Sequence, residues 1–233
     1  MCGRVTLTLD KQTVLDILGD VLRVSNQPDL TNIPNYNVGP AQPLLSVIRH
    51  QGNNRAGYLR WGYIPSWSKD ESIGYKLINT RSEGIETKQS FKDAFIHKRC
   101  LLLADSFYEW SREKEKKTFR FTLKNQPLMT FPGLYSTYTK PSGEKLHTCS
   151  IITCPPNSLM EPIHHRMPVI LTYEEAHMWL NETTTTDHLL SLLKPISSGS
   201  MDFYEVSSYV NSIQHNTIEC IEPIQSQQTF LSF

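Results

Sequence analysis

Residues 5–9 alternate apolar and polar side chains, the period-two signature of a half-buried strand. The pattern then changes period. Val14, Ile17, Leu18, Val21 and Leu22 recur at helical spacing, and Asp10 stands where a cap belongs, so a helix is expected over 11–22. Residues 25–43 hold prolines at 28, 34, 40 and 43 with several asparagines and read as an irregular connection. Strands are expected at 44–49 and 56–63 around a turn at 52–54, then a polar loop at 65–74 and a short helix at 89–96. The middle of the chain is strand-dense, with candidates at 100–110, 118–123, 127–137, 148–154 and 169–171, and turns at 113–117 and 140–144. Helices at 173–180 and 186–193 and a late strand at 203–210 complete the pattern. No repeat and no linker interrupts it. The order predicts one α+β domain over residues 1–224, a strongly curved antiparallel sheet or barrel with peripheral helices, followed by a loose tail at 225–233.

Composition narrows the function classes. The 233 residues are 39% apolar and 20% charged, an ordinary globular balance. Lys plus Arg and Asp plus Glu both number 23, so the zero net charge excludes a tail-like basic protein but leaves room for a local basic groove. No apolar run reaches the length of a membrane span, and residues 1–6 lack the basic-then-apolar order of a secretory signal. A soluble cytoplasmic protein is therefore expected, without membrane partners. The five cysteines are scattered with no C-x-x-C pair, which fits neither a disulfide framework nor a zinc site. Cys100, Cys149, Cys154 and Cys220 read as small buried apolar residues. No metal and no cofactor is expected.

Cys2 is different. A methionine before a small residue is normally removed, and removal here would put a free α-amine and a thiol on adjacent carbons. Such an amine titrates near 7.7–8.0, so about a tenth is unprotonated at neutral pH. A 1,2-aminothiol condenses with an aldehyde to an imine, and the thiol then closes a five-membered thiazolidine. The alternative is an unconstrained residue at a mobile end. Four other segments carry candidate chemistry. In 77–83, Asn79, Arg81 and Glu83 would share one strand face, with Arg81 suited to phosphate or paired with Glu83. In 104–110, Glu109 lies among Phe, Tyr and Trp, where burial would raise its pKa toward proton transfer; an exposed strand glutamate is the other possibility. In 162–168, His164 and His165 precede Arg166 between prolines, as acid/base or as structural histidines. The segments 35–40 and 60–67 combine aromatic rings and prolines. With Arg4, Arg81 and Arg166 they could form a single-strand nucleic-acid surface, or Trp61 and Tyr63 could be core.

These segments, in this order, resemble the SOS-response-associated peptidase (SRAP) family of abasic-site processing proteins. The resemblance is carried by Met1-Cys2-Gly3-Arg4, Asn35 to Pro40, Trp61-Gly62 with Pro65, Ile78 to Glu83, Phe107-Tyr108-Glu109-Trp110 and Ile163 to Pro168. It implies single-stranded DNA containing abasic sites as the partner, a covalent link through the mature N-terminal cysteine, and some proteolytic activity, with removal of Met1 as its clearest event. By motif match it implies Cys2, Asn79, Glu109 and His164 as catalytic residues. It implies Arg4, Asn37, Pro40, Trp67, Arg81 and Arg166 as DNA-binding residues. A monomer is expected, nucleoid-associated during DNA damage if bacterial. Three positions depart from the family's common residues: Gly39 for alanine, Ser106 for glycine and His165 for aspartate. Two competing functions remain: a thiol peptidase using Cys2 and His164, and a non-covalent single-strand binding module.

Overall fold

A computed structural model describes residues 2–224 of the chain, and the expected tail at 225–233 lies outside the described residues. In chain order the elements are β1 (Val5–Leu7), α1 (Lys11–Asp16), β2 (Asn35–Val38), β3 (Pro43–His50), β4 (Asn53–Trp61), β5 (Asn79–Arg81) and α2 (Lys92–His97). They continue with β6 (Arg99–Ala104), β7 (Ser106–Trp110), β8 (Thr118–Leu123), β9 (Met129–Thr139), β10 (Lys145–Cys154), β11 (Met167–Pro168), α3 (Tyr173–Leu180), α4 (Thr186–Ser191) and β12 (Met201–Val206).

Two sheets organise them. The larger follows the order β10-β4-β3-β6-β9 and closes on itself through β9–β10, a five-stranded barrel. Closure removes the free edges that an open sheet would expose. Most pairs are antiparallel, but β10 meets both β4 and β5 in parallel: β4 ends beside Cys149, and β5 continues in the same direction from Ile151. The second sheet, β12-β8-β7-β1-β2, packs beside the barrel. Their shared core includes Phe107, Phe121 and Phe131, all fully buried, with Phe107 and Phe121 stacked at 5.0 Å. α3 covers β6: Trp179 is fully buried and its indole N–H donates to the Cys100 carbonyl at 2.9 Å.

The expected helix over 11–22 begins as predicted, with Asp10 accepting from the Thr13 amide at 2.9 Å. At Ile17 it widens into a π-helical turn over Ile17–Val21, closed by the Leu22 amide donating to the Ile17 carbonyl at 2.8 Å. Gly19 weakens the regular helix there, and the wider turn still buries Ile17, Leu18 and Leu22 together. The irregular connection contains a real strand, β2, paired with β1 through Val5↔Val38; its asparagine-rich sequence hid the pairing. The β3–β4 hairpin turns on Gln51 and Gly52, both at positive φ (50° and 77°), so β3 runs on to His50 and β4 begins at Asn53, earlier than expected, while β4 ends at Trp61, short of the expected 63. The single strand expected at 100–110 is two strands in different sheets, broken at Asp105. Its carboxylate accepts from the Thr6 and Thr8 hydroxyls and the Thr8 and Leu9 amides, clamping the end of β1. Ser106 bonds Thr6 and accepts from Arg120 Nε at 2.8 Å. The strand expected at 169–171 is instead Met167–Pro168 with a lone bridge at Leu171, and the late strand ends at Val206 before a 3-10 turn.

Candidate active site

The site grows from the far end of β10. There Ile151, Ile152 and Thr153 pair with Asn79, Thr80 and Arg81 of β5 on one edge, while Thr153 and Cys154 pair with β11 on the other. Two loops therefore converge on one strand end. The first is pinned from below: fully buried Trp61 donates its indole N–H to the Ile78 carbonyl at 2.9 Å, next to Asn79. Trp61 and Tyr63 are thus core residues and do not belong to a DNA surface. The two loops are then tied together. Arg166, expected to bind DNA, is buried and forms a two-pronged ion pair with Glu83, and its guanidinium also donates to the Thr153 carbonyl. Glu83 lies beyond the short strand, so its partner is Arg166 and not Arg81, and this pair holds Glu83 below its ordinary pKa.

The third component comes from the other sheet. β1 runs antiparallel to β7 with Val5 opposite Phe107, and the Tyr108 amide donates to the Arg4 carbonyl at 2.9 Å. Continuing that register brings Gly3 and Cys2 alongside Glu109 and Trp110. Side chains alternate across β7. Tyr108 and Trp110 face the 208–220 segment, with Tyr108 donating to Cys220 O at 3.1 Å and Trp110 to Asn211 Oδ1 at 2.7 Å. Phe107 and Glu109 face the interior. Cys2 and Glu109 are both buried, at 0% and 2% exposure. Asn79 donates from Nδ2 to the Cys2 carbonyl at 2.7 Å. The structure thus joins Cys2, Asn79 and Glu109, residues up to 107 positions apart in the chain.

Burial sets the electrostatics. It raises the Glu109 carboxyl to about 7, so the group exchanges its proton at physiological pH. Burial, reinforced by Glu109, pushes the Cys2 thiol well up, so sulfur stays protonated. His164 stacks on His165 at 4.4 Å between centroids, and burial lowers it to about 4, leaving the imidazole neutral. Its Nδ1 lies 3.0 Å from the Arg166 carbonyl and 3.1 Å from the Arg166 amide nitrogen. Either tautomer therefore finds a backbone partner without the ring moving. The His164 loop is also tied to the end of β7 by Arg112, whose Nη2 donates to the Glu161 carbonyl at 3.3 Å. Burial is the largest cause of the lowered pKa of both histidines, and nearby positive charge, that of Arg112 included, adds to it. It lies at the start of a lysine-glutamate run that reads as a plain turn; its place three residues after Glu109 on the same strand end was the available signal.

The other expected DNA contacts divide. Arg81 is exposed, and among the described residues no hydrogen bond or ion pair holds its guanidinium, which suits a phosphate ligand. Trp67 is 61% exposed on its loop, and Pro40 is half-buried. Asn37 does not reach the surface: it is 1% exposed, and its Nδ2 donates to the carbonyls of Val210, Ser212 and His215. Arg4 donates to Asn37 Oδ1 at 2.6 Å and to the Val210 carbonyl at 2.9 Å, with its guanidinium over Trp110. These two residues brace the N-terminal strand against the 208–215 segment. Gly39 lies under the same segment, where an added Cβ would meet Ile213 Cδ1 at 2.5 Å. Among the described residues no group of three His, Cys, Asp or Glu side chains could hold a metal, and no helix is long and apolar enough to cross a membrane. All five cysteines are buried and unbridged.

Comparison with known proteins gives this arrangement relatives. The sequence model of the SOS response associated peptidase (SRAP) family matches residues 1–213. The chain is 48% identical over 225 residues to abasic site processing protein YoqW of Bacillus subtilis, covering 95% of this chain and 99% of that one. It is 32% identical to abasic site processing protein HMCES of Gallus gallus, over 82% of this chain and 67% of the relative. A crystal structure of a Bacteroides thetaiotaomicron protein superposes with a TM-score of 0.84 at 26% identity, covering 96% of this chain and all of the other.

Proposed function

The chain belongs to the SOS response associated peptidase family, and from that premise we propose that it processes abasic sites in single-stranded DNA by forming a covalent thiazolidine through Cys2. The names of its relatives support action on abasic sites. The observation that carries the covalent step is Cys2 enclosed beside a carboxyl that titrates near neutrality, with its carbonyl held by Asn79.

The chemistry follows from those groups once residue 1 has been removed. An abasic deoxyribose is mostly a closed hemiacetal. Neutral His164 accepts the anomeric hydroxyl proton at one ring nitrogen and returns it to the ring oxygen, freeing the aldehyde. Glu109, as carboxylate, takes a proton from the Cys2 ammonium, and the amine adds to the aldehyde carbon. Glu109 then gives that proton to the carbinolamine hydroxyl, which leaves as water, and a protonated imine remains. The sulfur adds to the imine carbon as the Glu109 carboxylate takes the thiol proton, leaving a neutral thiazolidine. A pKa of about 7 suits both proton transfers. A protonated thiol suits a sulfur that must wait for the imine, whereas a thiol peptidase requires a thiolate. Arg81 and Trp67 supply phosphate and base contacts, and Asn79 orients the terminal residue.

Incubation with an abasic oligonucleotide followed by denaturing electrophoresis tests the reading. The wild type should give a shifted band that survives without reduction. Cys2→Ala keeps an amine but cannot close the ring, so its band should require borohydride. A chain with extra residues ahead of Cys2 should bind DNA and give no band. Normal crosslinking by that extended chain would make the thiol alone, or a lysine, the nucleophile.

A further inference from the structure

The barrel has a second end. The turns at 51–52 and 140–144, the start of β6 and the end of β9 all lie opposite the Cys2 site, and there the barrel opens as a cup of about 480 Å³. That volume falls within the ~300–1,000 Å³ of typical small-molecule sites. Along β10, His147 at the cup and Thr153 at the Cys2 site are separated by about 20 Å of extended chain. The cup is therefore not part of the site described above.

Its chemistry is polarised. Arg55, Lys98, His50 and His147 line it, and no carboxylate does. Glu182, the acid whose charge reaches Tyr135, instead shares a neighbouring hollow with Arg49 and Arg99. Ile48, Leu59 and the half-buried Tyr135 ring supply the apolar surface.

Gly57 keeps this space open. It lies within β4 opposite Ser46, where a glycine weakens a strand. Its φ is not in the left-handed region, and a Cβ built on it meets nothing within 4 Å. Neither backbone nor packing demands glycine. Gly133 in the same barrel is the opposite case, since a Cβ there would meet the Ser150 carbonyl at 2.8 Å. A strand glycine with room above it marks a place where something else approaches the backbone.

We infer that the barrel mouth is a second binding site, for a planar aromatic anion of the nucleoside monophosphate type. The phosphate would lie between Arg55 and Lys98, and the base against Tyr135, Ile48 and Leu59 over Gly57. Such a group could arrive as a free nucleotide or as the 5′ end of a strand.

Calorimetric titration of the purified full chain tests this with four probes: deoxyadenosine monophosphate, deoxyadenosine, inorganic phosphate and a short 5′-phosphorylated oligonucleotide without abasic sites. Saturable binding of the monophosphate, tighter than deoxyadenosine or phosphate, is expected; the oligonucleotide arm shows whether a strand end also enters. Gly57→Leu should abolish monophosphate binding, and Arg55→Ala with Lys98→Ala should weaken it at least ~10-fold per lost charge-assisted contact. Arg81→Ala should leave it unchanged, and the cup variants should crosslink abasic DNA at the wild-type rate. The surface pair provides the same test if Gly57→Leu fails to fold. No saturable binding, binding that survives the cup variants, or phosphate binding as tightly as the nucleotide would overturn the assignment.

Discussion

Glu109→Gln separates what burial does to this carboxyl from what the carboxyl does for the chemistry. Burial raises it from its ordinary 4.5 to about 7. Between those values the folded chain holds a proton that the unfolded chain has released. Stability therefore falls as pH rises through this window, and levels off above it. At about 1.4 kcal/mol per tenfold change in the proton equilibrium, the full penalty is about 3 kcal/mol. At 2% exposure little solvent screening reduces it. Glutamine resembles the protonated acid in shape and charge. Wild type and variant should therefore be equally stable near pH 4, below the unfolded pKa, and the variant should be more stable by up to about 3 kcal/mol at pH 8. Urea unfolding at several pH values, with equal slopes for both chains, measures that gap.

The same substitution should slow crosslinking by about 10²–10⁴-fold, the usual loss when a positioned acid/base is removed. The slowing should be most severe at pH 7–8, where Glu109 is a carboxylate and much of the Cys2 amine is still protonated, and should shrink at mildly acidic pH, where Glu109 is itself protonated. A stability gap that stays constant from pH 5 to 8 would show that Glu109 does not titrate near 7, and the proton relay would fail with it.

Arg81→Ala should flatten the log–log salt dependence of single-strand binding by about 0.7, one phosphate contact; an unchanged slope removes Arg81 from the interface. His164→Ala should slow crosslinking to the closed sugar more than to a simple open-chain aldehyde, and equal slowing on both would refute the ring-opening role. Asn37→Ala should slow crosslinking by loosening the Arg4 brace while leaving the salt slope intact; loss of a slope contact would return Asn37 and Arg4 to the DNA surface.

The elements with strong periodicity or turn chemistry were legible in the sequence: 118–123 and 173–180 match their strand and helix residue for residue. The misses have physical causes. β2 is built from Asn-Tyr-Asn-Val, whose pairing with β1 is a tertiary fact that local propensity opposes. The break at Asp105 is invisible in a continuous apolar run, because an acid that clamps Thr6, Thr8 and Leu9 looks like an ordinary strand residue until β1 is in place. For the site, residue type was informative about chemistry but not about exposure. Arg4, Arg81 and Arg166 read alike as phosphate ligands, yet Arg166 is buried on Glu83, Arg4 is held by Asn37 and backbone, and Arg81 alone is exposed.

The proposed chemistry puts the reacting groups at a chain end, and termini are where order usually fails. Ordering each backbone residue costs about 1–2 kcal/mol, and β1 is only three residues long. The structure meets that cost from both sides of the strand. Downstream, Asp105 gathers four donors from residues 6–9. Alongside, Arg4 is locked to Asn37 and through it to residues 208–215. At the end itself, the Asn79 amide holds the Cys2 carbonyl. Each anchor comes from a different region of the chain. The distance in sequence between residues 2, 79, 109 and 164 follows from this. A terminus cannot be held by its own neighbours, so the groups that fix and use it must arrive on separate strands at one end of the barrel. On the proposed mechanism, fixing it there replaces a diffusing amine with one already oriented, the kind of positioning that contributes up to ~7–11 kcal/mol in well-aligned reactions.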